Sequence, residues 1–303
     1  MYDVILHHYD ASPFSQKAIK MLALKDVKWG SVETPMIAPK PDLTALTGGY
    51  RGTPVLQVGA DIYVDNARIA QELDARFAKS PLSDVTLALS DAAVCGWGES
   101  FFEAGLHMAI NEYADQWSRE FTADRTEVFA RLSFDEVRHN YREACSALRV
   151  YAGQVDRQLS DGRDFLRGAS VGMADLHAWP VLWFARNMAV TADLLADYGR
   201  LSAWERRVAA IGQGRRTQID AAIAHDVARV ARPRGKAAVD TRDPLDLAAG
   251  DAVAVEATFS NRGTSRGTLV GLDVHEIVVA PHKRDAAHVH VHFPRLGYRV
   301  TAR

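Results

Sequence analysis

The stretch DVILHHYDASPFSQKAIKMLA, residues 3–23, decides the fold. Asp3 to His8 reads as a short strand that runs into Asp10, Ala11, Ser12 and Pro13, a turn followed by a helix start. Proline suits the first helical position because its missing N–H has no partner there anyway, and Ser12 supplies an oxygen that can cap the first turn. Phe14, Ala18, Ile19, Leu22 and Ala23 recur near helical spacing, so one face of the helix can pack on a sheet. The chain therefore opens as β then α.

Outward from this unit, residues 27–32 read as the next strand, and residues 34–52, rich in Pro, Gly and Thr, as short or irregular structure. Residues 54–58 and 61–64 look like two strands joined by a tight turn at Gly59 and Ala60, with a helix over 66–78 behind them. The order is βαβ, loop, ββα. After Ser80 and Pro81 the composition shifts to Ala, Leu, Glu and Arg, which predicts helices over 84–118, 124–159, 173–187, 201–211 and 217–230. Beyond Arg232, Pro233 and Gly235 a linker-like segment opens. Period-two alternation then appears over 252–259, 268–272, 276–280 and 288–293, as expected of a small antiparallel barrel or sandwich, and the turn at Gly250 and Asp251 suggests an SH3-like barrel. The domain expectation is 1–79, then 84–230, then 240–303.

Composition bounds the function. A chain of 303 residues with 48% hydrophobic content can bury two or three ordinary cores. Lys+Arg 36 against Asp+Glu 38 gives a net charge of -2, which creates no long-range field for nucleic acid or an anionic membrane. Cys95 and Cys145 lie far apart in helical-looking sequence, so neither a disulfide framework nor a zinc ribbon is suggested. The N-terminus is too short and polar for a signal peptide, and no window reaches the ~18 to 20 apolar residues of a membrane span. A cytoplasmic protein is the expectation.

Three local motifs carry a resemblance to a known family: Ser12-Pro13-Phe14-Ser15, Thr53-Pro54-Val55-Leu56, and Asp65-Asn66 at a helix start. In this order they resemble the cytosolic glutathione transferases of serine type, omega- or tau-like, with an extra C-terminal β domain. The resemblance spans about three quarters of the chain. It implies a thioredoxin-like α/β domain, an all-α second domain, glutathione as co-substrate and a homodimer. It also implies a transferase that passes the glutathione thiolate to a small hydrophobic electrophile, as in detoxification. Ser12 stands where the family meets the glutathione sulfur; Ser15 and Tyr9 are the rival hydroxyls. Phe14, Thr53 and a cis Pro54 fall among the residues that bind glutathione, with Val55 where the cysteinyl backbone is held, and Asp65 and Asn66 where the γ-glutamyl end is held. Lys40 and Arg51 lie in the loop that often carries a cation for the glycyl carboxylate. Asn66 replaces the family's usual Ser or Thr.

The chemistry follows from elementary physics. A helix N-terminus presents unpaired N–H groups and the positive end of the helix dipole, which favour an anion such as a thiolate. A free thiol has a pKa of roughly 8.5, so a hydroxyl donor plus the dipole can leave most of it ionised at neutral pH. Asp65 and Asn66 offer a carboxylate and oriented N–H groups, suited to an ammonium and a carboxylate.

Further along, Ser170 to Asp175 resembles the family's capping box, with Gly172 in the hydroxyl position. Trp97, Phe101, Phe102, Glu103, His107 and Met108 lie on the first long helix, whose counterpart lines the second-substrate pocket. Most are core residues, with Glu103 and His107 as candidates to face the cleft. His288, His290 and His292 alternate on one strand face, a pattern that rarely converges on one ion, so no metal is expected. Two other readings stand beside the transferase: a glutathione-dependent thiol oxidoreductase or reductase, and a non-catalytic binding or scaffold protein on the same fold.

Overall fold

The computed structural model describes residues 2–83, 88–129, 133–234, 238–282 and 288–303. Strand β1 (Val4–His8) leads into helix α1 (Pro13–Lys25). Ser12 is the extended N-cap, with φ -83° and ψ 122°, and its Oγ accepts the Ser15 amide at 3.2 Å. Strands β2 (Lys28–Glu33), β3 (Val55–Val58) and β4 (Asp61–Val64) and helix α3 (Asn66–Arg76) complete the expected unit. Within the segment read as irregular, Pro41 starts a two-turn helix, α2 (Pro41–Thr47). Seven residues are too few for periodicity to reveal, and α2 is held instead by burial of Leu43 and Leu46.

Strand β1 runs parallel to β2 and antiparallel to β3, which pairs antiparallel with β4. One face of this sheet is covered by Ile19, Leu22, Ile69 and Leu73 of α1 and α3, all fully buried. Each such side chain contributes about 1.5–3 kcal/mol by leaving water.

The helical region holds α4 (Ala88–Tyr113), α5 (Arg119–Val128), α6 (Phe134–His139), α7 (Tyr141–Gln158), α8 (Met173–Ala185), α9 (Thr191–Leu194) and α10 (Gly199–Ala209). The expected start at Asp84 and the stretch 130–132 lie outside the described residues. The single helix expected over 124–159 is three: α5 ends at Val128, Ser133 caps α6 by accepting the Glu136 amide, and a second break at Asn140 separates α6 from α7. Apolar spacing continues across these breaks and hides them. At the start of α8, Asp175 accepts the Gly172 amide at 3.0 Å, the Leu166 amide at 2.8 Å and the Trp204 indole N–H at 2.7 Å. Gly172 has no side chain to return the bond, so Asp175 alone pins this turn to the core. Met173 and Leu176 of α8 join the α1–α3 cluster and so fasten the two regions together.

Both edges of the first sheet are extended. On one side β5 (Arg215–Gln218) runs parallel to β2, which corrects the helix expected from 217. Its polar sequence has no strand alternation, and the open edge of β2 imposes the conformation. Asp220 then caps α11 (Ala221–Val230). On the other side come β6 (Ala252–Ala257), β7 (Thr264–Leu272), β8 (Glu276–Pro281), β9 (His290–Pro294) and β10 (Tyr298–Ala302), a strand the alternation did not reveal. The full order is β10-β6-β7-β8-β9-β4-β3-β1-β2-β5. The added β domain is thus stitched to β4 through β9, which runs parallel to it. Val255, Leu269, Ile277 and Phe293 share one apolar cluster with Leu43, Tyr50, Val55 and Ile62.

The seam is also polar. His292 lies between two carboxylates, with Nε2 3.1 Å from Asp61 Oδ1 and Nδ1 3.0 Å from Glu276 Oε2, and it stacks on Tyr63 at 4.5 Å. Burial disfavours its charge, but the hydrogen bonds to both acids outweigh this and raise its pKa. Arg68 donates to Glu276 at 2.7 Å and extends the pairing to α3. Among the described residues no group of three His, Cys, Asp or Glu is arranged to hold a metal ion. No described helix is long and apolar enough to cross a membrane.

Candidate active site

A cavity of about 260 Å³ opens where the helical region faces the C-terminal ends of the first strands. Its floor is Tyr9, Ser12, Phe14 and Thr53; its wall is largely apolar and aromatic, from Phe102, Ile110 and Tyr113 of α4, Phe121 of α5 and Phe184 of α8. The floor is placed by the turn after β1. The Ser12 amide donates to the Tyr9 carbonyl at 3.2 Å, Pro13 starts the helix, and Ser12 comes to rest 2% exposed at the cavity edge. Its Oγ already accepts one bond, and among the described residues it has no acceptor for its own proton. A hydroxyl in this state can donate to an anion above the helix N-terminus. The Thr53–Pro54 bond is cis.

The charges around the cavity are unequal. Arg51 is committed to Asp124 at 2.6 Å and Glu127 at 3.3 Å, and Arg125 lies 3.5 Å from the same Asp124. Lys40 is 6% exposed, sits 5.3 Å from the Tyr9 ring centroid and has no ion pair among the described residues. Burial, then the charge of Arg125, pushes its pKa down to about 8 despite Asp124. Two rings away, Arg262 from the loop between β6 and β7 lies over Phe14 at 5.4 Å. One carboxylate thus answers four cations in the lining, so the cavity carries a positive excess suited to an anionic ligand.

The structure brings Tyr9, Ser12, Phe14, Lys40, Arg51 and Thr53 to one cavity. Ser15 is one turn deeper, wholly buried, with its Oγ unpartnered and away from the lining. Pro54 and Val55 sit beneath the floor. Asp65 and Asn66 lie just behind Phe14: Asn66 Nδ2 donates to the Phe14 carbonyl at 3.2 Å, and Asp65, the N-cap of α3 at φ 73°, accepts the Ala67 amide at 3.0 Å. Glu103 and His107 face each other at 3.8 Å and do not line the cavity. They sit one helical step round from the α4 face that carries Phe102, Leu106, Ala109 and Tyr113. Cys95 and Cys145 are half-buried on α4 and α7, also outside the lining, and burial raises the Cys95 thiol to about 11.

Sequence reasoning missed much of the wall, including Tyr113, Phe121, Asp124 and Phe184, and it missed Asn261 and Arg262. Their only local signal is an Asn-Arg-Gly turn between two strands, which says nothing about where the loop docks. Arg262 is placed by main-chain contacts: its carbonyl accepts the Arg51 amide at 2.8 Å, and the next residue back, Asn261, donates its amide to the Val128 carbonyl of α5 at 3.0 Å. The loop is therefore a strap across one end of the cavity, touching both of its walls.

Two family models match the sequence: the glutathione S-transferase N-terminal domain over residues 6–81 and the glutathione S-transferase C-terminal domain over residues 127–207. No curated protein matches significantly. Among solved structures, a GST-like protein from Pseudomonas syringae is 35% identical over 100% of both chains, with a TM-score of 0.80. A glutathione S-transferase from Rhodospirillum rubrum F11 is 16% identical, covers 68% of this chain and 88% of its own, and has a TM-score of 0.53. Glutathione transferase F2 from Populus trichocarpa gives 16%, 68%, 93% and 0.51 for the same measures, a likeness of fold. With both halves of the fold matched and a full-length relative at 35% identity, the chain belongs to the glutathione S-transferase family.

Proposed function

We propose that the protein is a glutathione transferase that binds glutathione along the floor of this cavity and passes its thiolate to a small hydrophobic electrophile held against the aromatic wall. The observation that carries the reading is Ser12: a capping hydroxyl with a free proton, at the N-terminus of α1 and on the cavity edge. The thiol bound there loses its proton to solvent, and the thiolate gains the Ser12 hydrogen bond and the helix dipole. The sulfur then forms a C–S bond with the electrophile, either displacing a leaving group that departs with its electron pair or adding to a π bond whose electron pair takes a proton from solvent. Lowering a pKa and holding two partners together supplies much of the rate. Lys40 is the cation for the glycyl carboxylate, because Arg51 is already paired with Asp124 and Glu127. Thiol exchange by the protein itself is disfavoured, since both cysteines lie away from the cavity. Family membership supports a homodimer, which light scattering in solution tests, and a cytoplasmic location.

Isothermal titration with glutathione, followed by a conjugation assay with an aromatic electrophile, tests the reading. Replacing Ser12 with Ala is expected to leave glutathione affinity nearly intact, to raise the pKa of the bound thiol seen by thiolate absorbance, and to cut turnover about a hundredfold. Absence of glutathione binding by the unaltered protein would leave the scaffold reading in its place.

A further inference from the structure

The strap between β6 and β7 leaves one guanidinium without a counter-ion. Arg262 is half-buried, with its Nε donating to Ser260 Oγ at 2.8 Å and its guanidinium between the rings of Phe14 at 5.4 Å and Phe259 at 5.3 Å. Among the described residues no carboxylate comes within ion-pair range of it. Its guanidinium is hydrogen-bonded to the Tyr50 hydroxyl, and Tyr298 and the Asp65 carboxylate lie close enough to favour its charge. Tyr298, from β10, donates to Asp65 Oδ2 at 3.2 Å, so the β domain also orients this acid. The placement is tightly defined. Gly49 (φ 121°) and Gly263 (φ 76°) meet backbone to backbone, and a Cβ on either would collide with a carbonyl oxygen of the facing strand or loop.

An arginine that lines the cavity with no ion pair among the described residues, close enough to Asp65 for its charge to be favoured, is complementary to an α-amino acid group, which carries an ammonium and a carboxylate on one carbon. Glutathione carries one such group, at its γ-glutamyl end. We propose that Arg262 binds the α-carboxylate of the γ-glutamyl residue while Asp65 receives the ammonium beside it, so that the added β domain completes the glutathione site. The assignment rests on the glutathione reading above. Asp65 and Asn66 lie next to Phe14 and outside the cavity lining, so on this assignment the γ-glutamyl end reaches them past Arg262.

The test is isothermal titration of the full chain with glutathione and with the analogue whose γ-glutamyl carboxylate is an amide, using the unaltered protein and Arg262→Met and Arg262→Lys variants. The unaltered protein is expected to bind the amide about ten- to a hundredfold more weakly than glutathione. Arg262→Met should lose the same factor for glutathione and bind both ligands alike; Arg262→Lys should recover part of it. Equal binding of the two ligands by the unaltered protein overturns the assignment even if no variant folds. So does a preference for glutathione that survives intact in Arg262→Met. Failure of the unaltered protein to bind glutathione at all overturns the underlying reading as well, and is distinct from both.

Discussion

Two of the contacts between the added β domain and the thioredoxin-like region are built on opposite principles. At the β4–β9 seam every charge is answered: Asp61 and Glu276 flank His292, and Arg68 completes the chain. At the strap the main chain makes contact with both cavity walls, and Arg262 is left without an ion pair among the described residues. Burying a charge is costly unless it is paired, so a matched seam serves cohesion, while an unmatched cation at a cavity costs stability that only a ligand returns.

Four measurements can break or sharpen this contrast. Replacing His292 with Ala removes the imidazole partner of the buried Asp61 carboxylate, beside the half-buried Glu276, and should destabilise the protein by about 3–5 kcal/mol in denaturant unfolding; a loss below 1 kcal/mol would remove the distinction. Gly49→Ala strains a left-handed position and pushes the strap away, at a cost of about 2 kcal/mol with weakened glutathione binding. The seam should also follow pH. The folded pKa of His292 is raised, so its contribution is complete below its ordinary value of about 6.5 and fades as pH rises through the folded value. Burial opposes the charge of Glu276, but His292 and Arg68 bring its pKa down to about 2, so its contribution is complete above the ordinary carboxylate range and fades as acid approaches that value. Thermal melts should therefore show greatest seam stability in mildly acidic solution, and His292→Ala should flatten the alkaline side. The smallest effect is expected at the strap: Arg262→Met should change stability by about 1 kcal/mol or less, because no ion pair is lost.

Part of the candidate site's geometry is legible in the sequence. Ser12, Thr53 and Asp65 could be read because each belongs to a short-range pattern: a cap before Pro13, a strand opening with Thr-Pro, an acid at a helix start. Asp175 was legible for the same reason, though its bond to Trp204 was not. The missed features depend on distant partners. Strand β5 exists because β2 has an open edge, Glu103 and His107 turn from the cavity by one helical step, and the three helices in place of one reflect caps that apolar spacing conceals. The three histidines read as one face of a strand; that Asp61 would meet His292 required the pairing of β9 with β4.

The amino-acid sequence alone determined the opening βαβ and ββα units, the family and the hydroxyl at the mouth of α1, because caps, turns and periodicity act over a few residues. Only the tertiary structure decided that the last strands extend the first sheet and that Arg262 reaches Phe14, some 250 residues earlier in the chain. Those outcomes arise from strand edges and charges that find partners in space, and nothing local encodes which partner is found.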